Sequence, residues 1–171
     1  MKKIFTSMLC TGLLTAVFIS MSACGITFKH GESSGMNTGA VQIPNPLIYH
    51  QTIDEASKVV GFAFKTPAKL PEGYAQSEIV TINKEIAQVI YKNGETVITY
   101  RTAKGSSDIS GDYNTYSSTR TIAVGDLSVT VKGEDDRIHV AYWTKDDLSY
   151  SIVFSDDVSD DQLSVIIESI P

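Results

Sequence analysis

The clearest hydrophobic pattern in the chain is an alternation of apolar and polar residues in three consecutive segments near its end. The apolar positions are Leu127, Val129 and Val131, then Ile138, Val140 and Tyr142, and finally Leu148, Tyr150, Ile152 and Phe154. A period of two puts neighbouring side chains on opposite faces of a β-strand, so each segment is predicted to be a strand with one buried and one more polar face. The acidic segments 133–136 and 145–147 between them predict turns.

Three further strands are predicted upstream of these, at residues 77–82, 85–91 and 96–101. The dipeptide Asn93-Gly94 lies between the last two. This pair is typical of a two-residue hairpin turn in which both positions take positive φ. The sequence therefore predicts an antiparallel hairpin at this point.

Two helices are predicted, one before the strands and one after them. The first begins with Thr52 and Glu55, the spacing of a capping box, and ends at Gly61, a residue favoured just after a helix. The second begins with Ser159 and Gln162 at the same spacing. Apolar residues recur at helical spacing after each start, at Ile53, Ala56, Val59 and Val60, and at Leu163, Ile166, Ile167 and Ile170.

The order of these elements predicts an α+β fold. We expect one antiparallel meander sheet with an N-terminal and a C-terminal helix packed on one face, because both helices have an apolar stripe to bury. A long polar segment, residues 104–118, predicts a surface loop, and a further strand is expected at 119–124.

The N-terminus has the pattern of a bacterial lipoprotein precursor. Lys2 and Lys3 precede an apolar run that ends in small residues before Cys24, so residues 1–23 are predicted to be a signal peptide. Cys24 is then the lipid attachment site, and the lipid anchors the protein on the extracytoplasmic face of the cell membrane. The alternatives are an uncleaved transmembrane anchor and an ordinary secretory signal peptide, both of which also place the rest of the chain outside the cytoplasm.

The mature chain is predicted to consist of a tether and one domain. Residues 24–44 are rich in Gly, Ser, Asn and Pro and are expected to form the flexible tether, although an early strand at 40–43 is an alternative. Residues 45–171 form a single domain of ordinary size. The two cysteines are Cys10 and Cys24, so the domain has no internal disulfide and depends on its core for stability.

Charge excludes some partners. The whole chain has a formal charge of −6, and removal of the signal peptide leaves 12 basic and 20 acidic residues, or −8. Nucleic-acid binding needs basic patches, so no nucleic-acid partner is expected. An acidic domain is also repelled by anionic lipids, so we expect it to stand off the bilayer on its anchor.

The residues that support most catalytic or metal-dependent chemistry are sparse. The histidines of the mature chain are His30, His50 and His139, and no pair has the spacing of a metal site or a hydrolase triad. We therefore predict no catalytic residues, no bound metal and no cofactor. Acidic pairs such as Asp135/Asp136 and Asp146/Asp147 are interpreted as solvated turns, with a calcium site or a carboxylate hydrolase as alternatives.

The long polar loop is the best candidate for a binding site, because binding residues often lie on loops held by a rigid scaffold. Its candidate residues are Asp108, Ser110, Asp112, Tyr113, Asn114 and Tyr116. The alternative is a structural loop in which the polar residues serve turn geometry. Trp143 and Tyr150 are a second candidate, an exposed aromatic surface, with packing in the core as the alternative.

Several motifs in series resemble one family. They are Asn45-Pro46-Leu47, Val60-Gly61-Phe62, the segment 67–74 (Pro-Ala-Lys-Leu-Pro-Glu-Gly-Tyr), the segment 108–114, Ala141-Tyr142-Trp143 and Tyr150-Ser151-Ile152. Together they resemble an uncharacterised domain family found on bacterial lipoproteins and membrane-anchored proteins, mostly Gram-positive. The resemblance covers about residues 45–171. It implies a one-domain, membrane-anchored protein and carries over no catalytic residue.

Three functional hypotheses follow. The first is a non-enzymatic module that binds an unknown envelope ligand or protein while its lipid holds it to the membrane. The second is an envelope hydrolase that uses paired carboxylates, and the third is a chaperone-like lipoprotein that carries apolar cargo. A cleft with two carboxylates about 5–10 Å apart would favour the second. A deep apolar cavity between sheet and helices would favour the third.

Overall fold

A computed structural model of the protein describes residues 44–171. The predicted signal peptide, Cys24, the tether up to residue 43 and the alternative strand at 40–43 lie outside the described residues. Within residues 44–171, no helix is both long enough and apolar enough to cross a membrane.

The described chain contains eight strands and two helices. In order they are β1 (Leu47–His50), α1 (Ile53–Val60), β2 (Ala75–Ile82), β3 (Ile86–Asn93), β4 (Thr96–Lys104), β5 (Ser118–Val124), β6 (Leu127–Glu134), β7 (Arg137–Lys145), β8 (Leu148–Val158) and α2 (Asp160–Glu168). The fold is α+β. Strand β1 was not among the predicted strands, because its four residues lie next to the proline-rich segment and show no alternation.

All eight strands form one antiparallel sheet, but not in simple meander order. The order is β1-β2-β3-β4-β8-β7-β6-β5. Strands β1 to β4 and strands β5 to β8 each run as a meander, and β4 pairs with β8 in the middle. The prediction of a single meander is therefore wrong at β4, whose next neighbour in the sheet is the last strand. The long loop, residues 105–117, carries the chain from the central strand β4 to the edge strand β5.

Helix α1 begins as its sequence predicts. The Thr52 hydroxyl accepts a hydrogen bond from the Glu55 N–H at 3.2 Å, and Gly61 ends the helix with a φ of 73°. The Glu55 carboxylate accepts from the Gln51 N–H at 2.9 Å, one residue before the position that a capping box uses. Of the predicted capping box, the hydrogen bond to the Thr52 hydroxyl is therefore formed, and the Glu55 carboxylate accepts from Gln51 in place of Thr52.

Helix α2 has the complete capping box that was predicted. The Ser159 hydroxyl accepts from the Gln162 N–H, and the Gln162 side chain accepts from the Ser159 N–H. Asp160, in the first turn, also accepts two hydrogen bonds from the Arg120 guanidinium on β5. This pair connects the start of the helix to the edge strand.

Buried apolar residues of the strands and of both helices belong to one cluster. The cluster includes Ala56 and Val60 of α1, Leu163, Ile166 and Ile167 of α2, and sheet residues such as Val89, Ile98, Tyr100, Val131, Ala141, Ile152 and Phe154. We call the side of the sheet that carries Tyr100 and Ile152 the core face. The opposite side, which carries Gln88, Arg101 and Lys132, is called the loop face.

The hairpin predicted at Asn93-Gly94 is present, but its turn lies one residue later. Asn93 pairs with Thr96, so the loop residues are Gly94 and Glu95. Of these two, Gly94 alone takes a positive φ, 58°. This is the pattern of a type II′ turn, in which glycine occupies the first position.

The acidic turns predicted at 133–136 and 145–147 are present as tight connections between β6 and β7 and between β7 and β8. Asp146 and Asp147 take φ values of 51° and 61°. Two positive values in succession are the pattern of a type I′ turn, and aspartate tolerates this conformation better than most residues.

Candidate functional site

The loop 105–117 lies against the loop face of the sheet. Tyr100 and Arg101 are neighbours on β4, so their side chains point to opposite faces. The Tyr100 hydroxyl donates to the Lys65 carbonyl at 2.8 Å on the core face. The Arg101 guanidinium donates through Nη1 to the carbonyls of Ile109 and Ser110, at 3.1 and 2.5 Å. The loop therefore covers a face that the strand pattern alone predicts to be open to water.

Arg101 is the centre of this arrangement. Its Nε donates to Gln88 Oε1 at 2.8 Å, in addition to the two loop carbonyls. Within residues 44–171 it forms no ion pair with a carboxylate at 4 Å or less. Burial lowers the pKa of the guanidinium, while the nearby Tyr113 raises it. Arginine stays charged in proteins, so the Arg101 guanidinium is a cation that donates to three neutral acceptors. Because its donors have a fixed geometry, these hydrogen bonds also orient the loop.

Asp108 fixes the first half of the loop. Its carboxylate accepts from the Ser110 N–H at 2.9 Å and from Lys132 Nζ on β6 at 2.7 Å. Burial acts to raise the pKa of Asp108, but the hydrogen bonds from Lys132 and Ser110 outweigh it and the pKa is lowered. Asp108 is therefore ionised and attaches the loop to Lys132 of the sheet.

The second half of the loop is a series of short side-chain turns. The Ser110 hydroxyl accepts from the Asp112 N–H at 3.3 Å, and Asp112 accepts from the Asn114 N–H at 2.8 Å. The Tyr116 hydroxyl also donates to Asp112, at 3.0 Å. Serine and aspartate favour such turns because their short side chains bond the backbone two residues on. Four of the predicted loop residues therefore stabilise the turns of the loop, as the alternative interpretation of a structural loop proposes: Ser110, Asp112, Asn114 and Tyr116.

Tyr113 is the loop residue that projects into solvent. Its side chain is 96% exposed, while its neighbours Asp112 and Tyr116 are partly buried. Large aromatic side chains seldom stay so open on a folded surface, and at binding sites they supply contact area at low entropic cost. Of the six predicted loop residues, this one is free to contact a partner without breaking the turns.

Tyr116 packs against β7, in the half of the sheet formed by β5 to β8. Its ring stacks on His139 of β7, with ring centroids 5.6 Å apart and an interplanar angle of 22°. Burial and then the hydrogen bond to Asp112 raise the pKa of Tyr116. The stack ties the end of the loop to the sheet just before β5 begins.

The exposed aromatic surface predicted from Trp143 and Tyr150 is wrong. The two rings stack with centroids 5.3 Å apart, but on the core face, where Trp143 is 4% exposed. Tyr150 is partly buried and packs against the same cluster. Tyr150 lies on the face that the alternation of β8 predicts to be apolar. On β7 the core residues after the register shift between Ile138 and Val140 are Ala141 and Trp143, and not Val140 and Tyr142 as the alternation predicts. Both aromatic residues are therefore core residues.

Three residues that support the loop were missed by the sequence analysis: Gln88, Arg101 and Lys132. Each is a polar residue of a predicted strand, and Lys132 was assigned to the more polar face because it alternates with Val129 and Val131. The available pattern was Arg101 after Tyr100 at the end of the predicted strand 96–101. A long cation there needs acceptors, and the adjoining polar loop supplies them.

The described residues contain no group of three or more His, Cys, Asp or Glu side chains arranged to hold a metal ion. Asp108 and Asp112, the carboxylates of the loop, are both engaged in hydrogen bonds to neighbouring residues. A general acid for glycoside hydrolysis needs a raised pKa, whereas that of Asp108 is lowered.

Surface cavities lie near one end of the sheet and beside α2. One of about 760 Å³ is lined by Phe62, Lys104 and the β7–β8 turn, and an adjoining one of about 430 Å³ shares Phe62 and Lys104. A smaller apolar groove of about 250 Å³ lies between Leu70 and Val165. Between sheet and helices the space is filled by buried side chains such as Tyr100, Ile152 and Leu163.

Comparison of the chain with known protein families identifies the family to which it belongs. The model of the domain of unknown function DUF4367 matches residues 65–170, more than half of the chain. The matched segment begins before β2 and extends through α2, and it contains the loop with all its supporting residues. A comparison with curated proteins gives no match. The chain therefore belongs to the DUF4367 family of domains of unknown function.

Proposed function

We propose that this protein is a lipid-anchored, extracytoplasmic binding module without enzymatic activity, and that it contacts an envelope ligand or protein through its loop face. The observation that carries the proposal is the ordered loop. Arg101 and Lys132 hold a long polar segment against the sheet, and this segment presents Tyr113 almost fully exposed. Preorganised loops bind with a smaller entropic cost than flexible ones.

The anchor is inferred from sequence. Two lysines, an apolar run and a small residue before Cys24 favour export and lipid attachment. More than one acyl chain is needed for stable anchoring, which a diacylglycerol group supplies. The mass of the mature protein isolated from cells tests this part. We expect an N-terminal Cys24 carrying lipid, and loss of membrane retention on Cys24→Ala. A mature chain that begins elsewhere, or stays membrane-bound without Cys24, contradicts it.

The binding surface is tested by photocrosslinking on intact cells. A photoreactive amino acid replaces Tyr113 in one strain and Glu168, an exposed residue of α2, in a control strain. We expect a defined adduct from position 113, identified by mass spectrometry, and none from position 168. The adduct should weaken when Arg101→Met loosens the loop. Equal adducts at both positions, or none at 113, contradict the proposal.

A further inference from the structure

The hydrogen bond between Gln88 and Arg101 leaves two neighbouring nitrogen atoms without a partner. The two residues are cross-strand partners on β3 and β4, and Arg101 Nε donates to Gln88 Oε1 at 2.8 Å. Arginine has no acceptor, so the Gln88 amide turns its oxygen to Arg101 and its Nε2 elsewhere. Among residues 44–171, neither Gln88 Nε2 nor Arg101 Nη2 donates a hydrogen bond. We call these two atoms the donor pair.

Both atoms of the donor pair are reached by solvent, although the side chains that carry them are largely covered. Gln88 is 8% exposed, and Arg101 is partly buried. In the described part of the chain, the buried side-chain nitrogen and oxygen atoms without a partner are the hydroxyl oxygens of Tyr91, Thr102 and Ser151. The donor pair is not among these buried atoms, so a ligand can contact both nitrogens.

The positive charge of Arg101 lacks a negative partner. Arg101 takes part in none of the ion pairs found between residue 44 and the C-terminus. Of the loop carboxylates, Asp108 pairs with Lys132, and Asp112 accepts from the Tyr116 hydroxyl. A partly buried cation without a counterion costs free energy, because its hydration is reduced and no anion replaces it. An anionic ligand at the donor pair would supply the missing charge.

The residues that surround Gln88 on the loop face are apolar. Ile86 and Ile90 precede and follow it on the same face of β3, and both are half-buried. Its cross-strand partner on β2 is Val80, which is 2% exposed. Hydrogen bonds to an anion are stronger beside apolar groups than in open water, because the local dielectric constant is lower. These neighbours therefore strengthen the interaction of the donor pair with a negative charge.

A cavity of about 430 Å³ adjoins the donor pair. Its lining includes Ile86 and Ala103, which are cross-strand partners, and Ile109 of the loop. Gln88 and Arg101 are the next residues on the same face of β3 and β4, roughly 7 Å farther along the strands. An apolar group in the cavity can therefore be joined to an anion at the donor pair.

Two lysines, Lys84 and Lys104, also line this cavity. Neither forms an ion pair with a described residue, so both are competing sites for an anion. They differ from the donor pair in that both are exposed at the surface. Exposed ammonium groups are well hydrated and gain little from a single anion. The partly buried Arg101 gains more.

We propose that the donor pair binds the carboxylate of a ligand whose apolar group occupies the adjoining cavity. The carboxylate accepts hydrogen bonds from Gln88 Nε2 and Arg101 Nη2. A carboxylate fits better than a phosphate dianion, because one cation balances one negative charge in a chain that is acidic overall. The inference rests on the proposed binding function of the loop face and names the chemical class of its ligand.

Side-chain NMR of the mature chain tests the proposal. The protein is residues 24–171 with Cys24→Ser, and the probes are N-acetylphenylalanine, its neutral amide and inorganic phosphate. We expect the acid to shift the signals of the Gln88 side-chain amide and of Arg101 Nε–H, with a Kd of about 1 mM for so small a ligand. The neutral amide lacks the charge and phosphate lacks the apolar group, so neither should shift these signals at the same concentration.

Gln88→Glu separates binding from support of the loop. Glutamate keeps an acceptor for Arg101 Nε but replaces the Nε2 donor by a negatively charged oxygen. We expect at least about tenfold weaker binding of N-acetylphenylalanine, read from the Arg101 Nε–H signal, since a hydrogen bond to a charged group is lost and repulsion is added. The control is Gln76→Glu, the same substitution at an exposed residue of β2 that pairs with Tyr91, and it should bind as the wild type does.

Four results would overturn the proposal. They are unmoved Gln88 and Arg101 signals at about ten times the expected Kd, equal shifts by phosphate, wild-type affinity in Gln88→Glu, and loss of binding in Lys84→Gln/Lys104→Gln as large as that in Gln88→Glu. The last result would place the carboxylate at the lysines. Photocrosslinking at position 113 reads the proposed function separately. An adduct there without carboxylate binding would leave the proposed function standing and contradict the carboxylate site alone.

Discussion

On the core face of the sheet, Tyr100, Ile152 and Leu163 are buried among apolar side chains. On the loop face, Arg101 and Lys132 hold a polar loop through hydrogen bonds. Burial of an apolar side chain contributes about 1.5–3 kcal/mol and has no preferred direction. A hydrogen bond contributes about 0.5–1.5 kcal/mol but fixes two groups in space. The core face thus supplies most of the stability, and the loop face supplies a defined surface.

Substitution in the core face should have the largest effect on stability. Leu163 is 0% exposed and attaches α2 to the sheet. We expect Leu163→Ala to lower the free energy of unfolding by about 2–5 kcal/mol, because it leaves a cavity. Urea denaturation measures this. Val165→Ala on the same helix, at a side chain that is 50% exposed, should change the value by less than about 0.5 kcal/mol. Equal effects of the two changes would show that α2 is not packed as described.

Removal of the central cation of the loop face should have a smaller effect. Arg101→Met keeps much of the side-chain volume but leaves the carbonyls of Ile109 and Ser110 without their donor. We expect a loss of about 1–3 kcal/mol in urea denaturation. Arg101→Lys keeps the charge but not the fork of donors, so it should recover part of the loss. Wild-type stability in the methionine variant would mean that the loop is not held by Arg101.

A side chain added to the loop backbone beside Arg101 should lower the stability of the folded protein. Gly111 has a φ of 65°, and a Cβ there would overlap the Arg101 guanidinium. Gly125, in the β5–β6 turn, has a φ of 55° with no atom within 4 Å of such a Cβ. Both changes to alanine strain the backbone, by about 1 kcal/mol. Gly111→Ala should cost more because the loop must also move. Thermal unfolding of the pair measures the difference, and equal midpoints would argue against the close approach.

Loss of the Asp108–Lys132 ion pair should have the smallest effect on the free energy of unfolding, and this effect should depend on pH. The pKa of Asp108 is lowered below its ordinary value of 3.8. A lowered carboxyl pKa stabilises the folded state above pH 3.8, and this contribution is lost as the pH falls through the folded pKa. Asp108→Asn should therefore flatten the stability profile in that acidic range and lower the stability at neutral pH. An unchanged profile between about pH 2 and pH 5 would show that the pair is not formed.

Local sequence patterns predict the helices and most strands of this fold. Thr52 and Ser159 start the two helices at the expected positions, and seven of the eight strands lie where alternation or turn residues indicate them. These features depend on residues close in sequence. The pairing of β4 with β8 does not, because alternation reveals which face a residue occupies and not which strand lies beside it.

The location of the candidate site was predicted, but the residues that hold its loop in place were not. The loop residues Asp108 to Tyr116 were identified by their polarity, and most of them serve the turns of the loop. The residues that hold it, Gln88, Arg101 and Lys132, come from three different strands. Gln88 and Arg101 are cross-strand partners in the β3–β4 hairpin, whereas the approach of Lys132 to the loop depends on the sheet order. Trp143 was misplaced for a related reason, since period two does not say which face is the core.

Amide hydrogen exchange in the loop tests the central claim, that the loop is a fixed surface and not a mobile connection. The amides of Ser110, Asp112 and Asn114 donate to side chains within the loop. We predict slow exchange at these three amides in the free protein, with a common acceleration in Arg101→Met while the amides of α2 stay protected. Fast exchange of the three in the wild-type protein would contradict the account, because a loop without a fixed shape cannot present Tyr113 to a partner.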